Sequence, residues 1–125
     1  MHLIKLIIMI ALPISIGVLG QILLKMGTIQ LGSISLISNS IGHYLRIFLN
    51  PFIFSGLSAY FISAVFWIYL LSRVPLSFAY PMLSTSYIII TIFSIFIFKE
   101  QVSLINWLGI FIIIIGVIFV THGKV

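Results

Sequence analysis

Polar side chains recur at helical spacing inside stretches of this chain that are otherwise apolar. The first stretch carries a four-residue repeat made of Pro13, Gly17, Gln21 and Lys25. A later stretch alternates spacings of three and four residues through Ser77, Tyr80, Ser84, Tyr87, Thr91 and Ser94. Between them lies a third stripe, made of Gly56, Tyr60, Ser63 and Trp67. Residues at these spacings share one helix face, so each stripe predicts either helix packing through hydrogen bonds or the lining of a polar cavity.

The chemistry that these residues predict is binding. The Gln21 amide donates hydrogen bonds and the Lys25 ammonium, one helical turn further on, attracts anions, so the pair could hold an anionic group. Lys25 lies in the last turn of its helix and could instead extend toward water. Arg73 is either an anchor that orients the chain or a second phosphate contact. No pair of residues resembles a catalyst, and the histidines do not have the spacing of a metal site. We therefore expect no enzymatic activity, no metal and no cofactor.

The composition requires a lipid environment. Hydrophobic residues make up 62% of the chain and charged residues 6%, whereas soluble domains have about a quarter charged residues. The net charge of +5 comes from cations scattered singly along the chain, which argues against a nucleic-acid surface and for contacts with membrane lipids. The chain has no cysteine, so disulfide and thiol chemistry are excluded.

Four apolar stretches are long enough to span a bilayer, which takes about 20 residues as a helix. They cover residues 4–26, 51–71, 75–98 and 104–121. The predicted fold is a single all-α membrane domain over residues 1–125, because spanning segments must satisfy their own backbone hydrogen bonds. Residues 33–49 carry apolar side chains at helical spacing and predict an amphipathic interfacial helix, with an ordinary loop as the alternative.

The cations do not indicate an orientation. With four spans, Lys5, Arg73 and Lys124 face Arg46 and Lys99 across the bilayer, joined by Lys25 if its side chain extends to that surface. The difference in positive charge between the two sides is then close to zero, so the positive-inside rule leaves both orientations open. The neighbouring Glu100 is interpreted as the solvated end of a helix.

Two further features concern motion and assembly. Pro81 removes a backbone hydrogen bond within the third span and predicts a kink, which is either a hinge or a static bend. Gly109 and Gly116 share one face of the fourth span, and small residues allow membrane helices to approach closely. We assign this face to a dimer interface, because four short helices enclose little space.

At these residues the chain resembles the drug/metabolite transporter superfamily, in its four-helix, EamA-like branch. The resemblance rests on Gly-Gln-Ile-Leu-Leu-Lys at 20–25 and on Arg-Val-Pro-Leu-Ser-Phe-Ala-Tyr-Pro at 73–81. Lys99-Glu100 and the Gly109/Gly116 pair also match. Small multidrug-resistance exporters have a similar length and number of helices, but they use a membrane-embedded glutamate whose place is taken here by Gly17.

The chain is more similar to the subunits that flip aminoarabinose-phosphoundecaprenol across the bacterial inner membrane. This resemblance implies an anionic polyprenyl-phosphate lipid as substrate, with Lys25 and Gln21 holding the phosphate. Tyr60, Tyr80 and Ser84 would line the path of the headgroup. It also implies a homodimer, or a heterodimer with a similar four-helix subunit. The alternatives are an exporter of small cations or metabolites, and a non-transporting subunit of a glycosyltransferase or larger transporter complex.

Overall fold

The computed structural model describes residues 3–37 and 39–123, which form helices and connecting loops without a strand. Lys124, used above in the argument on orientation, lies outside these residues. The helices are α1 (Leu3–Leu31), α2 (Ile41–Phe48), α3 (Pro51–Leu71), α4 (Leu76–Leu83), α5 (Thr85–Phe98) and α6 (Leu104–His122). Four helical segments, counting α4 and α5 together, are long and apolar enough to cross a membrane. The predicted all-α fold with four spans is confirmed.

The centre of the bundle is the close pairing of α1 with α3. Gly20 and Gly56 face each other where the two helices cross: a Cβ added to Gly56 would lie 2.9 Å from the Gly20 carbonyl oxygen. Gly27, further along α1, has no room for a side chain because Ile53 of α3 fills the space. In lipid there is little hydrophobic driving force between helices, so this approach of backbones provides the packing energy.

Asn50 joins the end of α1 to the start of α3. Its side-chain oxygen accepts hydrogen bonds from the backbone N–H groups of Phe52 and Ile53, which satisfies donors that the first turn of α3 leaves free. Its amide nitrogen donates to the side-chain oxygen of Gln30 at 3.1 Å. Pro51, at the first position of the helix, has no N–H to satisfy.

The third span is interrupted at Ser84, three residues after Pro81. The Ser84 N–H donates to the Pro81 carbonyl at 3.1 Å, and the Tyr87 N–H donates to the Ser84 carbonyl at 3.1 Å. Bonds between residues three apart form a tighter turn than the α-helix has. The role of Pro81 as a hinge stays a prediction.

Among the described residues of the interfacial segment, the helical ones lie only in its second half. Helical spacing predicts a continuous amphipathic helix over residues 33–49, but α2 begins at Ile41. The chain before it is held against α2 instead: His43 Nε2 lies 2.8 Å from the Ser35 carbonyl oxygen, and the Tyr44 hydroxyl donates to the Leu36 carbonyl at 2.8 Å. These bonds satisfy carbonyl groups that a helix would otherwise pair internally.

Lys99 ends α5 in a left-handed conformation, with φ 56° and ψ 32°. The Glu100 N–H then donates to the Ser94 carbonyl at 3.2 Å, which closes the helix C-terminus. Glycine is the usual residue here because a Cβ makes this conformation costly.

We therefore expect Lys99→Gly to stabilise the protein by about 0.5–1 kcal/mol. Thermal unfolding in detergent, followed by circular dichroism, measures this change. The matched control is Gln101→Gly, because Gln101 is not among the described residues with positive φ. A Lys99→Gly protein that melts below the Gln101→Gly protein would contradict the expectation.

Helix α6 packs at the edge of the bundle, against α4 and α5. Ile110 is its only buried residue. A Cβ added to Gly109 or Gly116 would meet no atom of the described chain within 4 Å, so this face makes no close packing contact inside the protomer. Its assignment to a dimer interface stays a prediction.

Candidate functional site

A cavity of about 280 Å³ lies between α1, α3 and the α4–α5 span. From α1 it is lined by Pro13, Ile14, Gly17, Val18 and Gln21, from α3 by Tyr60, Ser63, Ala64 and Trp67, and from the third span by Tyr80, Leu83 and Ser86. Members of all three stripes therefore meet in one place, although the third span contributes only Tyr80 of its stripe. The cavity lies around the middle of α1.

Three of the polar groups in the cavity already have partners on neighbouring helices. The Ser63 hydroxyl donates to the Pro13 carbonyl at 2.8 Å and links α3 to α1. A Cβ added to Gly17 would lie 3.3 Å from the same hydroxyl, so a glycine at this position leaves Ser63 its room. The side chains of Gln21 and Tyr60 interact with each other. These contacts position the amide and the phenol at the cavity wall.

Three aromatic side chains, those of Tyr60, Trp67 and Tyr80, also line the cavity. Tyr60 is 38% exposed and Tyr80 is 64% exposed, whereas Trp67 is less exposed than either. No lining residue carries a formal charge. Rings, hydroxyls and an amide around a cavity of this size can hold a small polar group through hydrogen bonds and ring contacts.

Lys25 lies outside the cavity lining, one turn beyond Gln21. Its Nζ is 3.6 Å from Oε1 of Glu100, and the two side chains are 51% and 45% exposed. Glu100 does lie at an exposed helix end, directly after the C-cap of α5, and the ion pair adds a partner that the sequence did not indicate. The turn after α5 brings a carboxylate to Lys25, and Gln21 interacts with Tyr60; the binding of an anion by Gln21 and Lys25 stays a prediction.

Ser84 was expected to line the headgroup path, but it is absent from the cavity wall. Its hydroxyl donates to the Pro81 carbonyl. The physical reason is the tight turn at this point: a spacing of three residues aligns Tyr80, Leu83 and Ser86 on the cavity side. An uninterrupted α-helix would have presented Ser84 and Tyr87 there instead.

Arg73 lies at the opposite end of the bundle from Lys25. It precedes the span Leu76–Phe98, and Lys25 pairs with Glu100 just after that span, so about 35 Å of helix separates the two ends. The Arg73 guanidinium lies 5.2 Å from the centroid of the Tyr69 ring, a cation–π contact. Arg73 and Lys25 therefore cannot hold the same phosphate at once.

The structure adds residues that sequence reasoning did not assign to the site. Ser63 and Trp67 share the stripe of Tyr60, and that common face was the available signal. Ser86 has no such signal, because its place on the cavity wall depends on the local change of helical spacing. The described structure brings Gln21, Tyr60 and Tyr80 together and leaves Lys25, Arg73 and Ser84 outside the cavity lining.

Comparison with known proteins gives relatives that are named as flippase subunits. The chain is 43% identical over 67 residues to a probable 4-amino-4-deoxy-L-arabinose-phosphoundecaprenol flippase subunit ArnE of Aeromonas hydrophila, covering 54% of this chain and 59% of the relative. The ArnE of Aeromonas salmonicida is 45% identical over 74 residues, covering 59% and 64%. A subunit named ArnF from Shewanella sediminis is 40% identical over 72 residues, covering 56% of this chain and 50% of the relative.

These alignments span between half and two thirds of each relative's length. No solved structure matches the chain. The EamA-like transporter family matches residues 4–122, which include all four spanning segments and nearly the whole chain. The chain belongs to the EamA-like transporter family.

Proposed function

We propose that this protein is a subunit of a flippase that moves a polyprenyl-phosphate-linked sugar, or a similar anionic lipid carrier, across the bacterial inner membrane. The sugar enters the cavity between α1, α3 and the α4–α5 span while the hydrocarbon chain stays in the bilayer. The phosphate is held near Lys25, at the end of the bundle. The protein positions its cargo and catalyses no covalent step.

One observation carries the proposal: a cavity between three spanning segments whose wall has no charged residue and includes an amide, hydroxyls and aromatic rings. Polar groups are costly in lipid unless they face protein, water or a ligand. The exposed rings of Tyr60 and Tyr80 mark the side where a headgroup can enter without its chain leaving the membrane. The names of the relatives, which are flippase subunits, support the same class of cargo.

Export of cations is a poorer fit to this site. An exporter that exchanges a cation for protons needs a carboxylate that binds each in turn. Glu100 is the only acidic residue of the chain, and it lies beside Lys25 rather than in the cavity. The cavity wall itself offers an amide, hydroxyls and rings, which suit a sugar.

We further propose that a second four-helix subunit, of the same or a related sequence, covers the open side of the cavity or the face of Gly109 and Gly116. The protomer leaves both surfaces unpacked. The word "subunit" in the names of the relatives supports an assembly of this kind.

The test is a reconstitution. The purified protein is placed in liposomes that contain a polyprenyl-phosphate-linked pentose with a fluorophore on the sugar. A membrane-impermeant reductant then bleaches the outer leaflet. Flipping predicts that protein-containing vesicles lose nearly all their fluorescence, whereas protein-free vesicles lose about the outer half.

A fluorescence loss equal to that of protein-free vesicles would count against the flippase proposal for this chain as a homo-oligomer. Proton-dependent efflux of a small organic cation from the same vesicles would favour the exporter instead. Both assays use one preparation, so a failure of folding is recognised by size-exclusion chromatography before either is interpreted.

A further inference from the structure

The ion pair between Lys25 and Glu100 connects α1 to the turn between α5 and α6. The 3.6 Å separation and the half-exposed side chains leave the pair accessible from outside the bundle. Exposed ion pairs contribute little to stability, so this contact can open without disrupting the packing of α1 on α3. The Lys25 ammonium is therefore accessible, and its partner Glu100 is weakly held.

Glu100 is held at this place by the backbone. Lys99 adopts the left-handed conformation, and the Glu100 N–H is bonded to the Ser94 carbonyl at 3.2 Å. The chain contains 6 lysines and arginines and one acidic residue. That acidic residue, Glu100, pairs with Lys25, one turn after Gln21. The carboxylate thus occupies the position in which another anion would meet Lys25.

An apolar groove of about 460 Å³ lies between α1 and α5, on the bilayer side of this pair. It is lined by Ser15, Val18, Leu19, Ile22, Leu23, Met26, Ile89, Phe93 and Ile97. Met26 adjoins Lys25 in sequence, and Ile97 lies three residues before Glu100. Leu19 is 54% exposed and Phe93 is 41% exposed, so the groove is open at the surface of the protein, and its Met26 end adjoins Lys25 along α1.

The groove and the polar cavity lie on adjoining faces of α1. Val18 lines both of them. Lys25 follows Gln21 by one turn, so it lies on the surface of α1 between the face that lines the cavity and the face that lines the groove. A phosphate at Lys25 would therefore have the apolar groove on one side and the cavity on the other.

We propose that Lys25 is the phosphate site of a lipid with a single hydrocarbon chain, that the chain lies in the α1–α5 groove, and that Glu100 is the counter-ion that the phosphate displaces. The inference rests on the proposed function, which supplies a lipid of this class. The exchange replaces one anion by another at the same ammonium, because a phosphodiester carries the single negative charge and the two free acceptor oxygens that the carboxylate also offers. Without cargo, Glu100 keeps Lys25 neutralised.

The test measures binding of a fluorescent short-chain polyprenyl monophosphate to the full-length protein in nanodiscs of zwitterionic lipid. Glu100→Gln removes the competing anion and keeps the shape of the side chain, so it is expected to tighten binding roughly threefold to fivefold. Lys25→Gln is expected to weaken binding about tenfold or more, and Lys25→Arg is expected to restore most of it.

The matched control is Lys99→Gln, which removes a positive charge next to Glu100 but outside the ion pair, and which should change the affinity less than Lys25→Gln. Unchanged or weaker binding in Glu100→Gln would overturn the displacement. Equal losses in Lys25→Gln and Lys99→Gln would show a general electrostatic effect and overturn the site. Competition by inorganic phosphate or by a two-chain anionic phospholipid as effective as the polyprenyl monophosphate would overturn the assignment of the groove.

These outcomes can be separated from failure of the proposed function. If the binding series follows the expectation but no sugar-linked lipid crosses the bilayer, the lipid site stands and the flippase proposal fails. If transport is observed and Glu100→Gln leaves binding unchanged, only the inference about Glu100 fails.

Discussion

Gly56→Val is expected to break the pairing of α1 with α3 and to destabilise the protein by about 3 kcal/mol, the upper end of the usual cost of overpacking. The first added carbon would lie 2.9 Å from the Gly20 carbonyl oxygen and 2.9 Å from Cγ of Leu24. A backbone carbonyl cannot move away as a side chain can, so the helices must separate. Thermal unfolding in detergent measures the loss, together with the monodisperse fraction on size exclusion.

Gly109→Val is the matched control for this prediction. It makes the same change in a spanning helix, but a Cβ at Gly109 meets no described atom within 4 Å. We expect it to leave the melting temperature of the protomer nearly unchanged and to lower the dimer fraction if the α6 face is an interface. Similar losses of stability in both variants would contradict the view that the α1–α3 crossing is the tight contact of the fold.

Gln21→Leu is expected to lower the rate of lipid flipping about tenfold to a hundredfold, because a cavity built to bond polar groups then has an unpaired hydroxyl and no amide for the cargo. Leucine has nearly the volume of glutamine, so the helix packing is kept. Tyr60→Phe, which removes the hydroxyl that interacts with Gln21, should cause a smaller loss. The fluorescence assay in liposomes gives both rates.

The matched control is Tyr87→Phe. It deletes the same atom from a tyrosine of α5 that is 45% exposed and lies outside the cavity lining, and we expect an unchanged rate. Because Gln21 and Tyr60 are in contact, the double variant should lose less than the product of the two single losses. Rates of Gln21→Leu and Tyr87→Phe that are both equal to wild type would exclude the cavity from the transport path.

A polar stripe on a membrane helix does not by itself mark a transport path, and the third span shows why. Thr91 is buried, and its hydroxyl donates to the Tyr87 carbonyl of its own helix at 2.7 Å. Ser58 of α3 does the same with the Phe54 carbonyl at 2.8 Å. Such hydroxyls are satisfied locally and need no cargo. The stripe residues that contribute to the candidate site are of two kinds. Some, such as Ser63, have a side chain that bonds to another helix, and others, such as Tyr80, line the cavity.

The amino-acid sequence by itself determined the class of the protein. Four long apolar stretches with few charges can be stable only as helices in lipid, because hydrophobicity and backbone hydrogen bonding are local properties of each stretch. The stripes of α1 and α3 followed from the same local periodicity, and the structure places Gln21 of one stripe beside Tyr60 of the other. The family was recognisable from short motifs along these helices.

Only the tertiary structure decided which charges and hydroxyls meet. Glu100 reaches Lys25 because a left-handed turn ends α5 beside α1, and contacts between residues 75 positions apart in the sequence leave no periodic signal. Ser86 replaces Ser84 on the cavity wall because the tight turn after Pro81 shifts the helical spacing. The start of α2 at Ile41 depends on bonds from its side chains back to the preceding loop. In each case the deciding contact joins segments whose relative position is set by packing, and packing cannot be read from the spacing within one helix.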